Sequence, residues 1–262
     1  MDYAEARMHA RFGNRPGSLA WQRLQGITQT EEFLEAAKRA GLGHWIAGIE
    51  PRTALHRVEL VLRDRLRGLI RETAQWLPDD WKKPVSWTVQ LVDLPALAHL
   101  ARGGHPLHWM KDDTIMAAYL GAAAMAPGDA MLNAAQREQV FKAVRARTSP
   151  GVSAGLKEWI SLWQATWPSG SERASAGEIV KRAESHLARF AACKSGEPAE
   201  VLREEFDREL RREFRRNAFL PGSVLAYLAM QALDFERVRA LLVDRMQPAG
   251  NRTRPAGRGD QA

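Results

Sequence analysis

Apolar residues recur along this chain at three- and four-residue steps, the spacing that puts them on one face of a helix. The clearest run is Leu55, Val58, Leu62, Leu66, Leu69, Thr73 and Trp76. It predicts a long amphipathic helix that opens after Pro51 and is closed by Pro78. A short helix is expected from Tyr3 to Phe12, stopped by Gly13 and by Pro16-Gly17. Thr30 offers an N-cap, with Glu31 and Glu32 in the first turn, and Gly41 is expected to close that helix. Residues 78–92, with Pro84 and Trp76, Trp81 and Trp87 nearby, read as an extended connector over the core. Asp93 and Pro95 then open the helix LPALAHLAR.

Further helices are predicted at 112–126, 131–147, 153–167 and about 175–194. Leu202, Phe206, Leu210 and Phe214 recur every fourth position in a helix otherwise covered by Glu/Arg pairs. The last helix, PGSVLAYLAMQALDFERVRALLVDR, buries Val224, Leu228, Phe235, Val238 and Leu242, with Gln231 interrupting the stripe. No run alternates with period two for long enough to form a strand. The expected fold is all-α, a multi-helix bundle of packed helical hairpins without a sheet. Residues 1–246 are expected to form one helical domain, and 247–262 a disordered basic tail.

Composition narrows this picture only a little. Hydrophobic residues are 45% and charged residues 26%, as a globular chain requires. Of the net +7, Arg252, Arg254 and Arg258 against Asp260 put +2 in the tail, leaving a mild excess elsewhere. Cys193 is the single cysteine, which excludes an intrachain disulfide and a cysteine-based zinc site. MDYAEARMHARF lacks the apolar core of a secretory signal, and no stretch approaches the ~18 apolar residues of a bilayer span. A soluble protein in a reducing compartment is expected.

Candidate chemistry is sparse. His99, His105, His108, Asp112 and Asp113 crowd one window, and imidazoles with carboxylates can hold a metal. Gly103-Gly104 and Pro106 break the helical spacing that such ligands need, and the two aspartates serve equally as helix caps, so no metal is expected there. No G-x-S-x-G, P-loop or G-x-G-x-x-G occurs, and Cys193 has no adjacent histidine. The helix over 200–216 carries Arg208, Arg211, Arg212, Arg215 and Arg216, an adaptor or nucleic-acid surface in one reading. Its interleaved glutamates favour protein contact or plain solvation. Trp159, Trp163 and Trp167 form a four-residue stripe that fits either core or interface.

Two patches carry a resemblance. Pro221, Val224, Tyr227, Asp234, Val238 and Arg239 in the last helix, and Tyr3, Ala6, Arg7 and Met8 followed by TEEFLEAAKRAG, resemble the C subunit of V-type and A-type rotary ATPases, called subunit d in the eukaryotic enzyme. Gln231-Ala232 stands where that family has a Lys-Glu pair, and Arg237 where it has Asn, which marks a divergent and short member. The resemblance implies an all-helical, funnel-like body that seats the central stalk on the cytoplasmic side of the membrane rotor ring. It implies no catalysis and no cofactor. The partners it implies are proteins, the central-stalk subunits and the c-ring, with no nucleic acid and with membrane contact only through those subunits. Tyr3, Arg7, Tyr227, Asp234 and Arg239 are the interface candidates. Asp234 either pairs with Arg239 or Arg237 inside the bundle or stands at the partner surface, and the sequence leaves both open.

Overall fold

The computed structural model describes residues 1–121, 134–145, 152–193 and 199–247, and these form helices and connecting turns without a strand. The basic tail expected over 247–262 lies outside the described residues except for Gln247. In chain order the helices are α1 (Asp2–Phe12), α2 (Ser18–Gly26), α3 (Thr30–Ala37), α4 (Gly43–Ile46), α5 (Leu55–Gln75), α6 (Asp79–Trp87) and α7 (Leu94–Ala101). They continue as α8 (His108–Asp112), α9 (Thr114–Tyr119), α10 (Ala134–Arg145), α11 (Val152–Gln164), α12 (Arg173–Ala192), α13 (Ala199–Arg216) and α14 (Pro221–Met246).

The last helix is the axis of the assembly. α14 packs against α12 and α13 on one side and against α5, α1 and α3 on the others. It is therefore buried nearly all round, polar residues included: Ser223, Gln231, Asp234, Arg237 and Arg245 join the apolar stripe in the interior. An apolar stripe alone does not predict this, because a helix enclosed on every side must supply a partner for each polar group it buries. Pro221 opens it at N1, where a missing N–H costs nothing. At Gly222 a Cβ would lie 2.8 Å from the Ser175 carbonyl oxygen, so glycine is what lets α12 and α14 approach this closely.

The stripe predicted for α5 is realised, with Val58, Leu62, Leu66, Leu69, Thr73 and Trp76 all buried. Residues 78–92 are helical and not an extended connector. Asp79 and Asp80 suit the first turn of α6, and burial of Trp81, Val85 and Trp87 outweighs the N–H missing at Pro84. A 3₁₀ turn over Thr88–Val92 follows. Thr30 is the first residue of α3 and Gln29 its cap, without a capping side chain. Gly41 does not end that region: a π-type segment, Lys38–Leu42, carries the backbone through Gly41 at φ +87° into α4. The helix expected from 112 starts at Thr114, because Asp113 is extended and its carboxylate accepts from the Ile115 and Met116 amides.

The tryptophan stripe is core. Trp159, Trp163 and Trp167 are buried; the first two stack with ring centroids 5.1 Å apart, and Trp163 meets Trp167 edge to face at 4.9 Å. The Trp159 indole N–H donates to Gln90 Oε1 at 2.8 Å and that of Trp163 to the Pro84 carbonyl at 2.7 Å, fixing α11 on the α6 side.

Candidate functional site between the first turn and the last helix

Tyr227, Gln231 and Asp234 follow one another at steps of four and three on α14, so they share a face. That face borders a cleft of about 530 Å³, whose walls also include Arg11, Arg15, His44 and Glu72. Gly41 stands at the rim. A side chain there would collide with the Asn14 carbonyl, and its backbone already needs the left-handed region.

Arg15 organises the site. Gly13 caps α1 and Gly17 precedes α2, and the turn between them aims the Arg15 side chain inward until only 3% of it is exposed. Its Nε donates to Asp234 Oδ2 at 2.7 Å and its Nη2 to Asp234 Oδ1 at 2.8 Å, the bidentate fork that suits a guanidinium and a carboxylate. Nη2 also reaches Asp207 Oδ1 on α13 at 2.9 Å and the Met230 carbonyl at 3.1 Å. Arg211 Nε donates to the second oxygen of Asp207 at 2.6 Å. One side chain from the α1–α2 turn thus ties α13 and α14 together.

The two carboxylates respond in opposite directions. Burial pushes Asp234 above the usual carboxylate range, and the Arg15 charge only partly opposes it. Asp207 also feels burial, but Arg15 and Arg211 together hold it below that range. Burial pushes the Tyr227 phenol up as well, against the pull of Arg11. Tyr227 Oη and Arg15 Nη1 are buried with no hydrogen-bond partner, so polar capacity remains beside the cleft for a water or an acceptor group. Arg11 is committed elsewhere, donating to Glu72 Oε1 at 2.6 Å and lying 4.9 Å over the Trp76 ring. The Asp234 fork holds the α1–α2 turn against α14, and the Asp207 contact extends that tie to α13.

Of the two places open to Asp234, the structure shows the buried and paired one, but the partner is neither Arg239 nor Arg237. Both arginines have other partners: Arg237 meets Glu200 at 2.8 Å and Arg239 Nε donates to Glu59 Oε2 at 2.6 Å. Arg15 is the partner, from a turn that sequence patterns left as punctuation. Tyr3 and Arg7 stay at the surface, outside the cleft. Arg7 Nε donates to the Tyr3 hydroxyl at 3.0 Å, its guanidinium lies 5.7 Å from the Trp76 ring, and Tyr3 is 58% exposed. On the inner face of α1, Glu5 accepts from Ser223 Oγ at 2.9 Å and from the Phe219 amide at 3.2 Å. This second tie joins the N-terminal helix to the start of α14.

A second buried ion network went unread. Glu59 Oε2 takes Arg239, while Glu59 Oε1 accepts from Arg63 at 2.7 Å. Arg63 reaches the Val92 carbonyl at 2.5 Å. Arg67 donates to both Asp93 and Asp113, at 2.6 Å in the second case. The signal was present: Glu59, Arg63 and Arg67 stand at four-residue steps on α5, and Asp93 and Asp113 precede the two helices they cap. Of the histidine window, only His108 and Asp112 come together, with Nδ1 3.8 Å from Oδ2. Among the five residues in it, His99 Nε2 meets the His105 carbonyl at 2.9 Å and Asp113 is spent on Arg67 and its cap. On the arginine-rich helix, Arg211, Arg203 and Arg216 each pair with a carboxylate three or four residues away, and Arg208, Arg212 and Arg215 face solvent.

No helix among the described residues is long and apolar enough to cross a membrane. No family model, curated protein or solved structure matches this chain.

Proposed function

We propose that this chain is a non-catalytic connecting subunit of a V/A-type rotary ATPase, coupling the central stalk to the membrane rotor ring during ATP-driven ion transport or ATP synthesis. The observation that carries the reading is the meeting of the two sequence patches behind the resemblance. The opening helix with its following turn, and the Tyr227–Asp234 face of α14, lie more than 200 residues apart and are joined through Arg15 and Glu5. A part that transmits torque must resist shear between its elements, and the buried Arg15–Asp234 fork with its branch to Asp207 supports that by tying the α1–α2 turn to α13 and α14. In this reading Tyr227 and Asp234 are internal braces, Arg239 ties α14 to α5, and the surface pair Tyr3 and Arg7 is left for protein partners. The protein then works in the cytoplasm, attached to the membrane only through the stalk and ring subunits.

Affinity purification from the native cell under gentle detergent tests this. Stalk and c-ring subunits are expected to co-purify, and recovery of neither overturns the proposal. The competing adaptor or nucleic-acid reading of the helix over 200–216 requires binding that weakens steeply with salt. The ion pairs that occupy Arg203, Arg211 and Arg216 favour it less.

A further inference from the structure

We propose that His56, His108 and Asp112 form a binding site for a divalent transition-metal ion of the zinc class. His56 stands in the first turn of α5, while His108 and Asp112 are the first and last residues of α8. The four-residue step puts His108 and Asp112 on one face of their helix, with Nδ1 3.8 Å from Oδ2. The His56 and His108 rings meet across the two helices with centroids 4.5 Å apart. One ligand atom from each of the three residues lies within 4.8 Å of the others, and all three side chains are exposed.

Bonds of ~2.0–2.2 Å to nitrogen and oxygen require ligand atoms roughly 3.4 Å apart in a tetrahedral shell. Rotation of three solvent-facing side chains closes that difference without moving a backbone. The backbones themselves are already held. Trp109 and Met110 of α8 are buried, Arg63 of α5 lies 4.1 Å over the Trp109 ring, and Asp113 is anchored to Arg67. Binding therefore orders little beyond the ligands, which keeps its entropic cost low. Two imidazoles and one carboxylate suit Zn²⁺, Ni²⁺ or Cu²⁺, whereas Mg²⁺ and Ca²⁺ take oxygen shells. Three protein ligands leave at least one position for water. The ion would staple the start of α5 to α8, so its effect is structural as well as chemical. Sequence spacing grouped His108 and Asp112 with His99, His105 and Asp113 and predicted no metal there; His56, about fifty residues upstream, supplies the ligand that spacing does not show.

The test titrates the untagged, metal-free full-length protein with ZnCl₂ or NiCl₂ by calorimetry, together with thermal melts. One ion per chain is expected, with a higher melting temperature when it is bound. His56→Ala or His108→Ala should each weaken binding on the order of tenfold or more, and the double variant should lose both binding and the thermal shift. Asp112→Asn should give a smaller loss, and His99→Ala none. The three ligand side chains are exposed, so circular dichroism should be unchanged in their variants. Binding that persists in the double variant overturns the site, as does the absence of binding to the wild-type chain at on the order of 100 µM metal.

Discussion

Two buried ion networks hold this protein together, and they are wired differently. The first is a hub: Arg15 alone reaches Asp234, Asp207 and the Met230 carbonyl, and only Arg211 offers relief to one of those carboxylates. The second is a ladder along α5, in which Glu59, Arg63 and Arg67 alternate with Arg239, Asp93 and Asp113 from α14 and the caps of α7 and α9. Both are balanced, two cations against two anions in the hub and three against three in the ladder. The difference lies in redundancy. Asp93 sits 3.6 Å from Arg63 as well as beside Arg67, and Asp113 keeps two backbone amides whatever happens to its arginine. Asp234 accepts from no side chain but Arg15 among the contacts described. Removing one side chain should therefore undo the hub at once and the ladder only in part.

The largest effect is expected for Arg15→Met. It strands Asp234 in the interior, and breaking such a pair costs about 3–5 kcal/mol. Urea unfolding that shows a loss below about 1 kcal/mol would mean that the hub is not a hub. Arg67→Met comes next, at about 1–3 kcal/mol, because Asp113 retains its two backbone amides and Asp93 the nearby charge of Arg63. If it matches Arg15→Met, redundancy does not protect the ladder. Gly222→Ala sharpens the comparison from the packing side: a methyl group against the Ser175 carbonyl should cost about 1–3 kcal/mol by prying α12 from α14. A thermal melt unchanged by that substitution would show that α14 can shift while the hub holds.

The smallest effect is in pH. Burial pushes His44, beside the hub cleft, and His186 below the usual histidine range. For such a group the unfolded chain takes up its proton first, so stability is present above about pH 6.5 and is lost as pH falls toward the folded value. Melting temperature should fall between about pH 7 and pH 5.5, and His44→Asn should remove part of that slope. A slope that stays the same in the variant would dissociate His44 from the effect.

Much of the fold was legible because helices announce themselves locally. The α5 stripe, the cap at Asp93 and the four-residue steps of α13 each follow from spacing that the chain carries within itself. The connector over 78–92 was misread because Pro84 and the tryptophans look like a break until burial of Trp81 and Val85 is counted. The site was half legible. Tyr227 and Asp234 stand out on α14 because polar groups interrupt an apolar stripe, but their partner does not. Arg15 sits in a turn after Gly13, and nothing near it in sequence distinguishes it from a solvated arginine. Its role depends on a neighbour 219 positions away, and period and spacing are silent about such pairs.

That separation also sets an order of events in time. A ribosome adding about 5–20 residues per second releases the α1–α2 turn well before Asp207 and Asp234 exist. Until then Arg15 remains hydrated, and the face of α1 that carries Glu5 lacks its Ser223 and Phe219 partners. The long helix α5 and its ladder partners at Asp93 and Asp113 emerge in the first half of the chain and can assemble early. Closure by the N-terminal helix must wait for α14, so the nascent protein carries an open seam through most of its synthesis, and this seam is the surface for a chaperone to cover.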